Sequence, residues 1–297
     1  MKETVRLQGR DLTPKDIEFI RHLIAEHPDW HRKRLSIELC HAWNWRNAKG
    51  DIKDMASRSL LVKLDERGWI KLPARRRAPP NRMKQRRIAD VDHNTTPIDQ
   101  GLKDLQPLEI VNVVQDPKHK DLYAYLLNRY HYLGFRGAVG ENMQYLIRDR
   151  CQRPLACLLF GSSAWQAKER DRYIGWEAST RECNIQLTTN NTRFLILPWI
   201  RIPHLASHVL SRIARQIGRD WQARYAHPLY MLETFVEDNR FAGTCYRAAN
   251  WRAVGKTQGR SRNDRHHRLQ VPTKTIYVYP LVNKFQLRLQ TYPWSGS

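Results

Sequence analysis

Three carboxylates crowd one short stretch of the chain: Glu233, Glu237 and Asp238, within Met231-Leu-Glu-Thr-Phe-Val-Glu-Asp238. The run over 229–236 is apolar and strand-like. Period-two alternation puts Met231, Glu233 and Phe235 on one face and Leu232, Thr234 and Val236 on the other. A carboxylate inside such a run needs a partner or a raised pKa. Three acids this close supply the oxygen donors for Mg²⁺ in a nuclease or transposase-like reaction. They serve equally to position an amine in acyl transfer. The bland alternative is a structural carboxylate paired with an arginine such as Arg240 or Arg247. No second acidic cluster at catalytic spacing accompanies them, so Mg²⁺ is expected only under the nuclease reading, and no other metal. His131, between Tyr130 and Tyr132, is a candidate general base or a neighbour for a stacked nucleobase. A histidine beside aromatics is also an ordinary core or surface residue.

The cations are far more numerous. Among 297 residues, 51 Lys and Arg stand against 29 Asp and Glu, for a formal net charge of +22. Such a surface gains free energy by releasing the counterions condensed on a phosphate backbone. The densest run, 75–87, holds Arg75, Arg76, Arg77, Arg82, Lys84, Arg86 and Arg87 with no acid and two prolines. It reads as a linker or arm that contacts the DNA backbone or minor groove, the alternative being a merely solvating linker. A second cluster holds Lys256, Arg260, Arg262, Arg265 and Arg268 against Asp264 alone. With Tyr246 and Trp251 nearby it has the makings of a groove in which phosphates meet cations and bases meet rings, and equally of a solvated basic loop. Membrane is the rival polyanion. The chain shows neither lipidation motif nor long basic amphipathic helix, so DNA is the expected partner and membrane is not.

The elements that carry these residues fall into two regions. Over 1–74 three helices are expected. Thr13 caps the first, with Pro14 at its first position and Ile17, Ile20 and Ile24 at helical spacing. The second covers 32–43 with Leu35, Leu39 and Trp43 stacked. The third is capped by Asp51 and carries Met55, Ala56, Leu60 and Leu64. A short strand over 69–73 follows. Three helices, a strand and a basic turn are in the order of a winged helix, whose third helix enters the major groove; Lys53, Arg58 and Lys63 are the candidate contacts. Ordinary solvated charges on an amphipathic helix are the alternative. Residues 75–106 read as a basic, Pro-containing linker or arm.

From 107 to 297 the pattern becomes mixed. Strands are expected over 108–114, 143–150, 154–165, 193–199, 229–236, 251–255 and 274–279, and helices over 120–132, 206–225 and 240–249, giving an overall α+β class with a mixed sheet. Five scattered cysteines without a Cys-x-x-Cys pair exclude a disulfide framework and a structural zinc site. The N-terminal residues lack an apolar signal region, and the expected location is the cytoplasm.

Several longer motifs stand in order along the chain: AWNWRNAKGDIKDMASRSLLVKL, RYHYLGFRGAVG, FGSSAW, RDRYIGW, NNTRFLILPWI, LASHVL and LETFVEDNRFAGTCYRAANWRAVGKTQGR. Over nearly its whole length the chain resembles the A-component of the Druantia anti-phage defence system, a family whose relatives occur beside or fused to transposases. The resemblance implies a role in phage defence or mobile-element biology, with defence-system or transposase proteins as partners, and hands over no reaction. A second resemblance is one of fold. Strand 193–199, helix 206–225, strand 229–236 and the stretch Asn239-Arg-Phe-Ala-Gly-Thr-Cys-Tyr246 look like the later half of a GCN5-related acetyltransferase. There a Gly-rich turn at the helix start meets the pyrophosphate of acetyl-CoA. In this chain His204 stands where the key glycine should be, so the fold is expected without the cofactor. The same resemblance makes Tyr246 the candidate acid. Cys245, with no histidine near it in sequence, is expected to be a small buried filler.

The leading expectation is a DNA-binding protein of phage defence or mobile elements. An acyltransferase targeted to DNA and a metal-dependent nuclease centred on Glu233 are the alternatives.

Overall fold

The computed structural model describes residues 4–8, 10–47, 50–74, 88–259 and 272–291. The chain divides into two compact units, one within 1–81 and the other within 82–295.

The first unit opens with a two-stranded antiparallel hairpin, β1 (Val5–Leu7) and β2 (Arg10–Leu12), with Val5 opposite Leu12. Helices α1 (Pro14–Glu26), α2 (Arg32–Ala42) and α3 (Asp54–Glu66) follow. Thr13 caps α1 in a complete capping box. Its hydroxyl oxygen accepts from the Asp16 N–H at 3.3 Å, and the Asp16 carboxylate accepts from the Thr13 N–H at 2.7 Å. Asp51 does not cap α3, whose N-cap is Lys53. It closes the preceding turn instead, its N–H donating to the Asn47 side chain at 2.9 Å. No strand forms over 69–73. Those backbone groups are claimed by side chains: the Leu72 N–H donates to Asp65, and Arg21 and Arg32 donate to the carbonyls of Trp69 and Pro73. The hairpin that precedes the helices supplies Leu7 and Leu12 to a core built on Ile17, Ile20, Leu35, Leu39, Leu60 and Leu64.

The second unit is built on a seven-stranded sheet in the order β3-β4-β5-β6-β7-β9-β8. These strands are β3 (Glu109–Asn112), β4 (Met143–Arg148), β5 (Pro154–Ser162), β6 (Thr188–Ile196), β7 (Met231–Glu237), β8 (Arg252–Lys256) and β9 (Lys274–Pro280). All neighbours are antiparallel except β6 and β7. The mixed α+β class read from the sequence is the one observed. Leu155 to Phe160 on β5 are all buried, as expected of a strand covered on both faces. Two helices dominate the main core, α4 (Lys120–Tyr130) through Tyr123, Leu126 and Leu127, and α7 (Leu205–Tyr225) through Val209, Ile213, Ile217 and Trp221.

A smaller core gathers Ile174 of α5 (Lys168–Ile174) and Leu289 of α9 (Phe285–Gln290) around Met231 and Val278. Met231 therefore belongs to one core and Leu232 and Val236 to the other, as their alternation requires. Helices α5, α6 (Ala178–Asn184) and α9 are six or seven residues long, too short for a helical period to declare itself. The helix expected over 240–249 shrinks to α8 (Thr244–Ala248), because Gly243 takes a left-handed φ of 67° beneath the Tyr277 ring. Residues 88–106, read as a polar connection, belong to this unit: Ile98 bridges to Ile200, and Ile98 and Leu105 are buried in its core.

Candidate functional site

The site begins where a strand breaks its register. β6 and β7 pair over three residues only, Thr188 with Met231, Thr189 with Leu232 and Asn190 with Glu233. In the next turn of the ladder β6 carries a bulge against β5: Phe160 lies opposite Asn191, Leu159 opposite Arg193, and Thr192 is the extra residue. A bulge bends its strand and increases the local twist, which turns β6 away from β7 and opens a gap between two strands that began as neighbours. The Asn191 side chain pins the bulge. Its amide donates to the carbonyls of Leu159 (3.2 Å) and Arg193 (2.9 Å), and its oxygen accepts from the Tyr246 hydroxyl at 2.8 Å.

The gap is a cavity of about 550 Å³, within the range of small-ligand sites. Phe194, Val236, Phe235 and Ala206 give it apolar walls; Tyr246, Thr234 and Glu237 supply polar atoms; His131, Tyr132 and Phe241 also line it. At its edge Tyr132 and Phe241 lie 5.5 Å apart and are 41% and 47% exposed, with the Arg240 guanidinium 4.6 Å from the Tyr132 ring centre. A second cavity of about 350 Å³ shares Tyr132, Asn191, Thr192 and Phe235 with the first. Its remaining lining mixes the apolar Leu133, Ala164 and Pro272 with Asn190, Arg193, Thr257 and Lys274, so it adds cations that the first cavity lacks. The Asn190 side-chain oxygen is buried there without a hydrogen-bond partner among the described residues.

His131 lies in this site, next to Tyr132, its ring 4.8 Å away. Burial, and secondarily the Arg193 cation, push the imidazole pKa down to about 4. Nδ1 accepts from the Leu133 N–H at 3.2 Å, so the neutral ring carries its proton on Nε2 and presents a donor. Tyr246 is fully engaged: burial raises its pKa, and its proton is spent on Asn191. Cys245 lines the same cavity, its thiol pKa raised chiefly by burial.

The three carboxylates, by contrast, do not converge. Glu233 is fully buried in an ion pair with Arg170 at 2.6 Å and also accepts from the Ala164 N–H at 2.8 Å. Burial raises its pKa, opposed by the Arg170 cation. Arg170, not Arg240 or Arg247, is thus its partner, and Arg170 continues to Asp171 and the Ala164 carbonyl. Glu237 lines the cavity with Arg240 at 3.7 Å. Asp238 accepts from Thr275 and faces Lys256 at 3.1 Å; those hydrogen bonds hold its pKa down. No group of three metal-binding side chains occurs among the described residues.

Of the nucleic-acid candidates, Lys63 is exposed and Lys53 half-buried at the helix start, while Arg58 is tied to Asp54. The other candidates, Arg75, Arg76, Arg77, Arg82, Lys84, Arg86 and Arg87 in the basic run and Arg260, Arg262 and Arg265 in the later cluster, lie outside the described residues. Sequence reasoning missed two features. One is Asn191, hidden in the polar run Thr-Thr-Asn-Asn-Thr that delayed the expected strand to residue 193. The other is a basic ridge on α7, where Arg212, Arg215 and Arg219 recur at helical spacing, the last two exposed. The 212/215/219 spacing was the available signal.

The turn into α7 bears on coenzyme A. His204, its N-cap, takes a left-handed φ of 63° and forms no side-chain cap hydrogen bond. Glycine is the default residue in that conformation, so a Cβ and an imidazole stand where main chain alone would best approach a pyrophosphate. No helix of the described residues is long and apolar enough to cross a membrane.

Comparison with known proteins gives two kinds of likeness. Among solved structures, spermidine N-acetyltransferase of Vibrio cholerae is similar at 8% identity and a TM-score of 0.38, over 59% of this chain and 95% of that one. The microcin C7 self-immunity acetyltransferase MccE is similar at 6% identity and a TM-score of 0.32, over 56% and 71%. Among curated proteins nothing matches. The family described as Druantia protein DruA matches residues 63–271, which is more than half of the chain, and the chain therefore belongs to the Druantia protein DruA family.

Proposed function

We propose that this chain is a DNA-binding protein of anti-phage defence. It grips duplex through the three-helix unit, used as a winged-helix-like module, and the 75–87 arm, while the α/β unit reads an adjacent DNA structure. The observation that carries the reading is the charge, +22 over 297 residues, in a member of a defence family. The exposed Arg215 and Arg219 on α7 add cations on a rigid element of the second unit, where a phosphate backbone is the polyanion they suit. Work in mobile-element biology beside a transposase would use the same grip.

The test is binding across a salt series by the full chain and by residues 88–297, on duplex, single-stranded and branched DNA. Cutting at 88 rather than 107 keeps Ile98 and Leu105 in the core they fill. A steep salt slope on duplex that is lost with the first unit is the expected result. Absence of binding near physiological salt sinks the reading.

One observation favours a second reading, DNA-targeted acyl transfer. The cavity reaches Ala206 in the first turn of the 21-residue helix α7, where main-chain N–H groups suit a phosphate, although the His204 side chain at the helix start crowds that approach. Calorimetric titration with acetyl-CoA decides it: tight binding would move the assignment to this alternative.

A further inference from the structure

The two adjoining cavities differ in character, and the difference describes a ligand. One is apolar and aromatic, with Phe194, Phe235 and Phe241 among its lining, and Glu237 as the charged acceptor. The other offers Lys274 and Arg193 beside Asn190, with Arg193 held in place by donating from Nε to the Gly134 carbonyl at 3.0 Å and from Nη1 to the Thr192 carbonyl at 2.7 Å. They meet at Tyr132, Asn191, Thr192 and Phe235, so one molecule can occupy both. It must carry a flat apolar body with hydrogen-bonding edges at one end and an anion at the other. A nucleotide has that build: every base has a π-face, and every phosphate a charge.

Exposed Tyr132 and Phe241 are ill placed for a protein that needs nothing at that edge, because large aromatics left in water forgo their burial. Arg240 over Tyr132 adds a cation at the entrance. An apolar wall also suits a base only once it has left the stack, since a paired base offers no free face.

We infer that the cleft between β6 and β7 takes one unpaired nucleotide of a DNA strand, its base on Phe241 and Tyr132 in the apolar cavity and its phosphate toward Arg193 and Lys274. The inference rests on the DNA-binding reading and makes it specific: the first unit holds duplex, and the second inspects for a base out of its stack. Extrusion costs least where the base has no partner, so bulges and mismatches are the preferred substrates.

The experiment measures binding of the full chain to a paired duplex and to the same duplex with one unpaired nucleotide. Wild-type protein is expected to prefer the bulged duplex by about tenfold, the range that base–aromatic stacking supports. Phe241→Ala and Arg193→Gln should each remove most of that preference and leave paired-duplex affinity within about twofold. Phe241 is half exposed, so its variant keeps the fold; thermal unfolding checks both proteins. A 2-aminopurine at the bulge should lose fluorescence on stacking in wild type and not in Phe241→Ala. Equal binding of the two duplexes, or a preference that survives both substitutions, overturns the inference while leaving the DNA reading intact. No binding to either duplex removes both. If free deoxynucleotide monophosphates bind the cleft while the bulge confers no preference, the ligand is a small molecule and the inference is wrong.

Discussion

A single side chain, Asn191, pins the bulge beside the cleft, and its chemistry explains why the sequence hid it. Asparagine is poor strand material, so a strand ending in Thr-Arg-Phe-Leu-Ile reads most naturally as starting after it. The structure uses that polarity: three hydrogen bonds from one buried amide hold the strand out of register. Asn191→Ala leaves the Tyr246 hydroxyl and two carbonyls short of a partner, and should lower stability by about 2 kcal/mol in urea unfolding. Glu233 is the opposite case. Its anomaly was visible in an apolar run, but its partner, Arg170, lies 63 residues away, and no local pattern announces it. Removing one member of a buried pair strands the other, so Arg170→Met should cost about 3–5 kcal/mol, and Glu233→Gln should alter stability without a metal-dependent signature. His131 gives a pH test. Its pKa of about 4 lies below the ordinary 6.5, so between these values the unfolded chain binds a proton that the folded chain refuses. Stability then rises with pH through that window and its contribution is gone below about pH 4. His131→Gln should flatten the slope, measured as unfolding free energy against pH.

At the level of elements, periodicity identified the long helices and missed the short ones. The stripe Val209, Ile213, Ile217 on α7 was legible, and Trp221 extends it by another turn. The three-residue strands of the N-terminal hairpin carry too few side chains to alternate visibly, and 69–73 looked like a strand only because its apolar residues belong to the core. Helix α3 shows what spacing alone conceals. Lys53, Arg58 and Lys63 are five residues apart, which rotates each about 140° from the last, so they do not share a face. Arg58 is also held by Asp54. If α3 meets DNA, Lys63→Ala should reduce the slope of log K against log salt by about 1, whereas Arg58→Ala should change it little. Capping, on the other hand, was readable residue by residue. Thr13→Ala should cost the first unit about 1 kcal/mol, seen as a lower melting temperature.

For the molecule as a whole, composition motivates the proposed polyanionic partner and motif order pointed to the family, yet neither could show the cleft, whose two strands lie before and after α7 in the sequence. The segment 88–106 makes the same point: its polar sequence looks like a tether, and only the placement of Ile98 and Leu105 makes it part of a folded unit.

The short contact between β6 and β7 also has a mechanical side. Four strands, β3 to β6, form one plate and three, β7 to β8 by way of β9, form another, joined in the sheet by a seam of three residue pairs. A long lever on a short hinge magnifies angle into displacement. A wedge of one ring's thickness driven into the gap is therefore felt most at the far margins, β3 and β8, which carry no part of the site. Spin labels on those two margins should report a filled gap as a change in their separation, making the outer strands the pointer of a gauge whose sensing tip is Asn191.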